Sequence, residues 1–464
     1  MDSKLKNGML IVFITNVINL MFSLITNFIL PKFLSIDTYA GIKEFQLYMS
    51  YIGLLHFGYV DGVYLRWGGK EISEKDGNSF KISLVTFEWL EIVISLIIAA
   101  TAVALSNSLL LFFALSVVPV NVNSFYKYLY QATGNFDKYG RVMNLSTIAT
   151  FFMNVAIVFW ARLDNYQIII LLYVMLYYIV WIAISSEFKN TYLKHINMRS
   201  HFSISELRSN VGNGFFLTVG NLASLFLSSM DRWFVKALLY TSDFAFYSFA
   251  VSVEGMLNIA ITPVTTTLYN FFCREKDNAK YVKITSYVVL FSTLLPLAAF
   301  PVELIIDLVL VKYKASETVI VLLFASQMIC FVINSVFVNL YKARRQQKTY
   351  FVRLVTVLLI GFILNALSYN LIGTNDGFAV ATLVSSSIWL FFSFGDFKDI
   401  GIKKTDILYL LMQVMAFVLI GFHCGPITGC ILYLIVCAVF GIGFMKEQYK
   451  AIFLKIRSIR MKVK

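Results

Sequence analysis

The stretch MLIVFITNVINLMFSLITNFIL, residues 9–30, is the first of about fourteen apolar runs that fill the chain almost from end to end. A helical run of about 20 apolar residues spans the hydrocarbon core of a bilayer. The runs are continuous rather than alternating, which favours helices over a β-barrel. No segment between them is long enough for a soluble domain. The sequence therefore predicts an all-α polytopic membrane protein with about 14 transmembrane helices.

The composition agrees with this prediction. The 464 residues are 59% hydrophobic and 14% charged, against about 25% charged residues in ordinary soluble domains. The first run follows Lys4 and Lys6, but it is too long for the apolar part of a signal peptide, so we expect a retained span. The predicted spans are 9–30, 43–64, 82–105, 108–131, 142–161, 166–186, 211–231, 244–270, 284–303, 317–340, 351–371, 376–395, 405–423 and 426–445.

Basic residues are distributed unequally between the two sides of this map. All but seven of the 39 lysines and arginines fall on one side, and the seven are Lys32, Lys43, Arg162, Arg232, Lys236, Lys312 and Lys314. Because basic loops stay in the cytoplasm, both termini are predicted to be cytoplasmic. This rule and contact with anionic membrane lipids account for the net charge of +13, so no nucleic-acid partner is expected.

The first and seventh spans repeat one another. When the chain is shifted by 205 positions, Asn16 falls on Asn221 and Ser23 falls on Ser228. Six spans separate the copies, so the repeats have the same orientation, as in many transporters. We predict two six-helix lobes related by a parallel pseudo-repeat, with two further helices: 1–209 (spans 1–6), 210–404 (spans 7–12) and 405–464 (spans 13–14 and a basic cytoplasmic tail).

Polar side chains within the spans mark a candidate cavity between the lobes, walled by spans 1, 2, 7 and 8. Such residues are costly in lipid and tend to face water or a bundle interior. Interhelical hydrogen bonding that only holds the bundle together is the alternative. The predicted cavity residues of this kind are Asn16, Asn19, Asn27, Asn221, Ser228 and Asn258.

Cations and carboxylates near the same spans suggest two further roles. Arg66, Lys127 and Arg232 are candidates for binding a phosphate or pyrophosphate group. Snorkelling to lipid headgroups is the alternative for each cation. The candidates for ion coupling are Glu254, deep in span 8, together with Asp61 and His56.

The sequence lacks the common motifs of nucleotide-binding and metal-binding sites. There is no GxxxxGK[ST] loop, so we expect no ATP site. The five cysteines form no CxxC pair, and no His/Cys cluster has metal-ligand spacing. We therefore expect no metal, no organic cofactor and no catalytic residue. Transport would then run downhill or on an H⁺ or Na⁺ gradient.

Short motifs punctuate the first two spans. They are Leu30-Pro31-Lys32-Phe33-Leu34 after the asparagine-bearing first helix, Tyr39-Ala40-Gly41, His56-Phe57-Gly58 and Asp61-Gly62-Val63-Tyr64-Leu65-Arg66, with Met230-Asp231-Arg232 at the end of span 7. This pattern resembles that of the bacterial polysaccharide flippases of the MOP (multidrug/oligosaccharidyl-lipid/polysaccharide) superfamily. Ala40 departs from it, because a glycine is expected at that position.

The resemblance implies a two-lobe carrier that works by alternating access. Its cargo would be an undecaprenyl-pyrophosphate-linked oligosaccharide repeat unit, held by cavity cations, a role that fits Arg66, Lys127 and Arg232. Binding of H⁺ or Na⁺ at Glu254 or Asp61 would drive the cycle. The carrier would act in the bacterial cytoplasmic membrane, in O-antigen, capsule or related polysaccharide synthesis, with a polymerase and chain-length proteins as candidate partners.

Other functions stay open at this point. A multidrug or organic-cation antiporter of the same superfamily would want a carboxylate-rich cavity, whereas Glu254 and Asp61 here compete with the three cations. A membrane glycosyltransferase or polymerase would need a catalytic carboxylate set on an outer loop, and the sequence offers none. A non-transporting scaffold would tolerate neutralisation of Glu254 and Arg232. We therefore expect a transporter rather than an enzyme.

Overall fold

The computed structural model describes residues 3–70, 77–193 and 202–451, and every regular element within them is helical. The chain divides into two compact units, Met1–Phe226 and Leu227–Lys464, and the division falls within one helix, α8. The first unit contains α1 Ser3–Phe33, α2 Ile36–Met49, α3 Tyr59–Trp67, α4 Gly77–Ala104, α5 Ser108–Ala132, α6 Phe136–Val155, α7 Tyr166–Phe188 and most of α8 Ile204–Leu238.

The second unit contains the end of α8 and ten further helices. These are α9 Thr241–Glu254, α10 Asn258–Arg274, α11 Asn278–Ser292, α12 Ala299–Val309, α13 Glu317–Val332, α14 Val338–Ala343, α15 Gln347–Leu371, α16 Asn375–Asp396, α17 Lys404–His423 and α18 Pro426–Phe444. Short 3₁₀ or π turns join α11 to α12 and α13 to α14, so each pair forms one continuous apolar stretch.

The helices match the predicted membrane spans. Ten stretches in the described part of the chain are long and apolar enough to cross a membrane, and twelve are when two bent pairs each count as one span. The remaining two predicted spans correspond to α1 and to the pair α2–α3. The prediction of an all-α, multi-pass membrane protein is therefore confirmed.

Span 2 differs from the prediction of one continuous helix over 43–64. It is divided into α2, a 3₁₀ turn at Ile52–Leu54, and α3. Between the turn and α3, Phe57 and Gly58 have φ angles of 46° and 87°, in the left-handed region that an α-helix cannot contain. Glycine adopts it readily, whereas an L-residue such as Phe57 does so at a cost of about 1 kcal/mol. Hydropathy does not report backbone handedness, and the apolar run conceals the break.

Span 8 is bent. A 3₁₀ turn at Gly255–Leu257 separates α9 from α10, and the two halves of the span meet at 47°. Proline lacks the N–H that would bond to the carbonyl four residues earlier, and its ring clashes with that carbonyl. The break between the two halves falls between Leu257 and Ile261, about one helical turn before Pro263, where this proline disturbs the helix.

The boundaries of the first helices of each unit preserve the repeat seen in the sequence. Helix α1 ends at Phe33 and α8 ends at Leu238, which is 205 residues later. The same offset relates α2, Ile36–Met49, to α9, Thr241–Glu254. A 3₁₀ turn follows soon after each of these two helices. The predicted internal repeat is thus visible in the helix boundaries as well as in the residue pattern.

An aromatic column holds α3 in the first unit. The ring of Tyr59 stacks on Phe87 of α4 at 5.1 Å between centroids, and Phe87 stacks on Phe125 of α5 at 5.6 Å. The Tyr59 hydroxyl donates a hydrogen bond of 2.9 Å to the carbonyl of Ser83. Such ring pairs contribute about 0.5–1.5 kcal/mol each beyond the area they bury. The column therefore fixes α3 relative to α4 and α5.

Candidate functional site

A cavity of about 320 Å³ lies inside the first unit, beside the break in span 2. Its walls come from the break itself and from α3, α5 and α8. The lining residues are Ser50, Gly53, Leu54, His56, Asp61, Ser124, Lys127, Tyr128, Thr218, Asn221 and Leu225. Four of the residues predicted for the site are therefore brought together here: His56, Asp61, Lys127 and Asn221.

The break and a tight helix contact position the polar wall of this cavity. Nδ1 of buried His56 accepts a hydrogen bond of 3.1 Å from the backbone N–H of Gly58, which stabilises the turn. Asp61, the first acidic residue of α3, accepts a hydrogen bond of 2.7 Å from the Thr218 hydroxyl on α8. A Cβ atom built on Gly214 would lie only 1.9 Å from the Gly58 carbonyl oxygen. The two helices thus meet backbone to backbone, and only glycine permits this approach.

Lys127 is the cation of this cavity. Its side chain is half-buried on α5, and its Nζ lies 5.0 Å from the centre of the Tyr128 ring. It also lines a second cavity of about 260 Å³ among α5, α6 and α7, beside the hydroxyls of Ser146 and Thr147. Among the described residues, no carboxylate forms an ion pair with Lys127. An uncompensated, partly desolvated cation is costly, so the site is suited to an anionic ligand.

Arg66, in contrast, is already neutralised within the protein. Its Nη1 lies 2.6 Å from Oε1 of Glu206, at the start of α8, and its Nη2 donates to Ser79 at 3.3 Å. The same Glu206 oxygen accepts hydrogen bonds from Asn210, at 3.0 Å, and from the Ser83 hydroxyl. In this arrangement Arg66 ties α3 to α8, and it does not line the cavity.

We expect Arg66→Ala to lower the free energy of unfolding by about 2 kcal/mol, because it leaves the Glu206 carboxylate without its cation. The Glu206 side chain is only 14% exposed. The matched control is Arg141→Ala, which removes an ion pair to Glu187 whose partners are 70% and 43% exposed, so its effect should be near zero. Thermal unfolding of the purified proteins in detergent measures both. Equal losses in the two variants would contradict the structural role assigned to Arg66.

The asparagines of α1 lie apart from the cavity lining. Asn19 and Asn27 are half-buried, and both side-chain polar atoms of Asn19 are buried without a hydrogen-bond partner in the described part of the chain. Asn16 belongs to α1, but its side chain lies outside the described residues. The polar stripe of the first helix therefore contains at least one amide whose hydrogen-bonding capacity is unused.

The other predicted site residues belong to the second unit. Ser228 and Asn258 are exposed, and the Asn258 Oδ1 atom accepts a hydrogen bond of 3.3 Å from Gln327. Glu254, at the end of α9, is half-buried and interacts electrostatically with Asp231 and Arg232. The Nε of Arg232 is buried and has no hydrogen-bond partner among the described residues.

Asp231, in the Met230-Asp231-Arg232 motif, forms the most hydrogen bonds of the acids in this group. It accepts hydrogen bonds from the Tyr247 hydroxyl at 2.7 Å, from the backbone N–H of Arg232 at 2.8 Å and from Thr382 at 3.4 Å. These donors come from α8, α9 and α16. The carboxylate therefore ties the end of α8 to α9 and α16.

Sequence reasoning missed several residues of the first-unit cavity. Ser124 and Tyr128 flank Lys127 on α5, and Thr218 lies one helical turn before Asn221. Thr218 could have been predicted from Asn221, because residues three positions apart lie on the same face of a helix. Ser50 and Gly53 line the cavity only because span 2 is broken, and no hydropathy signal reports that break.

Comparison with known proteins finds the fold but no sequence relative. No protein-family model matches the chain, and no curated protein sequence matches it. The lipid II flippase MurJ in an inward closed conformation superposes with a TM-score of 0.59 over 95% of this chain and 99% of that chain, at 13% identity. An inward-facing multidrug resistance MATE family transporter of the MOP superfamily gives a TM-score of 0.50 over 84% and 99%, at 13% identity. The chain therefore has the fold that these membrane transporters share.

Proposed function

We propose that this protein is a flippase that moves undecaprenyl-pyrophosphate-linked oligosaccharide repeat units across the bacterial cytoplasmic membrane. The observation that carries the proposal is Lys127, a half-buried cation that lines a cavity of about 320 Å³ and forms no ion pair with a carboxylate of the described residues. A pyrophosphate group would supply the missing negative charge. The fold shared with a lipid II flippase supports a lipid-linked cargo.

The polar groups of the same cavity are suited to a sugar headgroup. Ser124, Thr218 and Asn221 offer hydroxyl and amide groups, and Tyr128 offers an aromatic face beside Lys127. A volume of about 320 Å³ is at the lower end of the range of ligand pockets, so it would hold only part of a headgroup at a time. In the proposed cycle the polyprenyl chain stays in lipid while the headgroup crosses by alternating access.

The transport cycle is proposed to be coupled to H⁺ or Na⁺. Asp61, His56 and Glu254 are the proposed ion-coupling residues. The electrostatic interactions of His56 with Asp61 and of Glu254 with Arg232 support this choice, because an ion bound at either place would change a local charge balance. The proposed site of action is the bacterial inner membrane with both termini in the cytoplasm. O-antigen, capsule or related polysaccharide synthesis would supply the cargo, with polymerase and chain-length proteins as partners.

The proposal is tested by a flipping assay in proteoliposomes. The probe is an undecaprenyl-pyrophosphate oligosaccharide that carries a fluorophore on its sugar, quenched from outside by membrane-impermeant dithionite. We expect protein-containing liposomes to lose fluorescence beyond the fraction that empty liposomes lose, because inner-leaflet probe is brought to the outer leaflet. Ethidium uptake into the same liposomes tests the organic-cation alternative. Ethidium movement without lipid movement would overturn the flippase assignment.

A further inference from the structure

A buried carboxylate lies in the first unit, outside the residues discussed so far. Glu91 is midway along α4, and its side chain is fully buried. Ionisable groups at this depth in a membrane helix are costly, and they usually have a partner or a function. The cavity residues include neither Glu91 nor its partner.

The partner of Glu91 is an amide on the neighbouring helix. Nδ2 of Asn121, on α5, donates a hydrogen bond of 2.7 Å to Oε2 of Glu91. The same Nδ2 donates to the backbone carbonyl of Ile52 at 3.1 Å. Both hydrogens of the amide are therefore used. Through this one amide, the carboxyl group is connected to the 3₁₀ turn that interrupts span 2.

Two oxygen atoms of this pair receive no hydrogen bond from the described residues. Oε1 of Glu91 and Oδ1 of Asn121 are both buried and lack a hydrogen-bond partner among the described residues. A deprotonated carboxylate has acceptors only, so it cannot relieve either atom. A proton on Glu91 turns one of these acceptors into a donor. A neutral carboxylic acid therefore suits the polar groups at this contact better than a carboxylate does.

The charges around Glu91 give the same preference. Several nearby elements carry titratable side chains. They are Lys81 and Glu88 on α4, Tyr126, Lys127, Tyr128 and Tyr130 on α5, Tyr59, Asp61, Tyr64 and Arg66 on α3, His56 at the break, and Lys189 and Tyr192 after α7. Among these groups, Lys189 interacts electrostatically with Glu88, and His56 interacts electrostatically with Asp61. Within the described part of the chain, Glu91 forms no ion pair, and the hydrogen bond from Asn121 is the one polar contact of its carboxyl group. A negative charge there would be uncompensated, which is strongly unfavourable.

We propose that Glu91 and Asn121 form a proton-binding site that controls the shape of the cavity beside span 2. The turn that receives the second hydrogen bond of Asn121 contains Gly53 and Leu54, and both line the cavity. With the proton bound, Asn121 stays between Glu91 and Ile52 and the turn keeps the form seen here. Loss of the proton makes Glu91 a charged acceptor, so its hydrogen bond from the Asn121 amide strengthens and draws the amide away from the Ile52 carbonyl, which releases the turn. The coupling role rests on the proposed flippase function, whereas proton binding does not.

The first test is infrared difference spectroscopy of the full-length protein in lipid nanodiscs during a pH titration. We expect a carbonyl band of a buried, protonated carboxylic acid that is absent in Glu91→Gln and retained in Glu88→Gln. If Glu91→Gln does not yield monodisperse protein, Asn121→Ala replaces it, and the band must then shift in frequency because the hydrogen bond is lost. Absence of the band from the wild type at every pH, its persistence in Glu91→Gln or an unshifted band in Asn121→Ala would overturn the proposal.

The second test asks whether the proton changes the cavity. A cysteine at Gly53, where an added Cβ meets no atom within 4 Å, is introduced into a chain without its five native cysteines and labelled with a maleimide. The labelling rate relative to the same reporter in Glu91→Gln should rise about threefold or more from acid to alkaline pH. Ionisation of the thiol is common to both backgrounds and cancels in this ratio. A ratio independent of pH would overturn the coupling. A wild type that shows both signals but moves no lipid would instead count against the proposed function alone.

Discussion

Replacing Lys127 with glutamine is expected to lower the rate of headgroup flipping in proteoliposomes by about tenfold or more. The side chain is half-buried at the cavity and has no carboxylate partner within the described residues, so its charge is available to an anionic group. Glutamine keeps most of the length and some hydrogen bonding but removes the charge. Loss of a charge-assisted hydrogen bond to phosphate costs more than loss of a neutral one.

The matched control for this prediction is Lys138→Gln in the same unit. Lys138, on α6, is hydrogen-bonded to Thr191 and Tyr192 and does not line the cavity. It should leave the flipping rate within about twofold of the wild type, because only a surface interaction is lost. Lys127→Arg, which keeps the charge, should retain a substantial part of the activity. A normal rate for Lys127→Gln at equal protein content would remove the main support for an anionic cargo.

A methyl group added at Gly62 is expected to prevent normal folding. A Cβ at this position would lie 2.0 Å from the carbonyl oxygen of Asn210 on α8, closer than real atoms approach. Backbone must move to admit it, because the obstacle is a carbonyl group rather than a flexible side chain. We expect Gly62→Ala to cost on the order of 4 kcal/mol, seen as a large loss of monodisperse protein or a sharply lower unfolding temperature.

The control for Gly62 lies on α8, the helix that it contacts. Nothing approaches a Cβ built on Gly220 within 4 Å, so Gly220→Ala meets no obstacle. Alanine within a helix is about 0.5–1 kcal/mol more favourable than glycine, so this variant should be unchanged or slightly stabilised. The two substitutions, chemically identical, should therefore act in opposite directions. Loss of stability in both would indicate a general intolerance of alanine and not a specific contact between α3 and α8.

The candidate site was predictable in part, because some of its residues stand out in the sequence by their polarity and by their position within an apolar span. Asp61, His56, Lys127 and Asn221 are polar residues in apolar runs, and such residues are rare enough to select from sequence. The state of each cation was not predictable. Arg66 and Lys127 carry the same charge and both lie near span ends. Glu206, 140 residues away in the chain, neutralises Arg66, whereas no acid of the described residues neutralises Lys127.

The role of Glu91 shows the same limit. Its depth in span 3 is evident from the sequence, but depth alone does not distinguish a functional acid from a structural one. The hydrogen bond to Asn121, and the link from Asn121 to the turn at Ile52, join residues that are 30 and 69 positions apart. No local pattern reports such pairings, because they depend on which helices pack together.

The sequence by itself determined that this is a multi-pass membrane protein, the approximate limits of most of its spans and the correspondence between its first and seventh spans. These properties follow from side-chain hydropathy and helix length, which act locally along the chain. Only the tertiary structure decided where span 2 breaks, which cation remains uncompensated and which amide holds the buried carboxyl. Those properties depend on contacts between helices that are distant in sequence, where steric fit and hydrogen-bond pairing act and hydropathy carries no information.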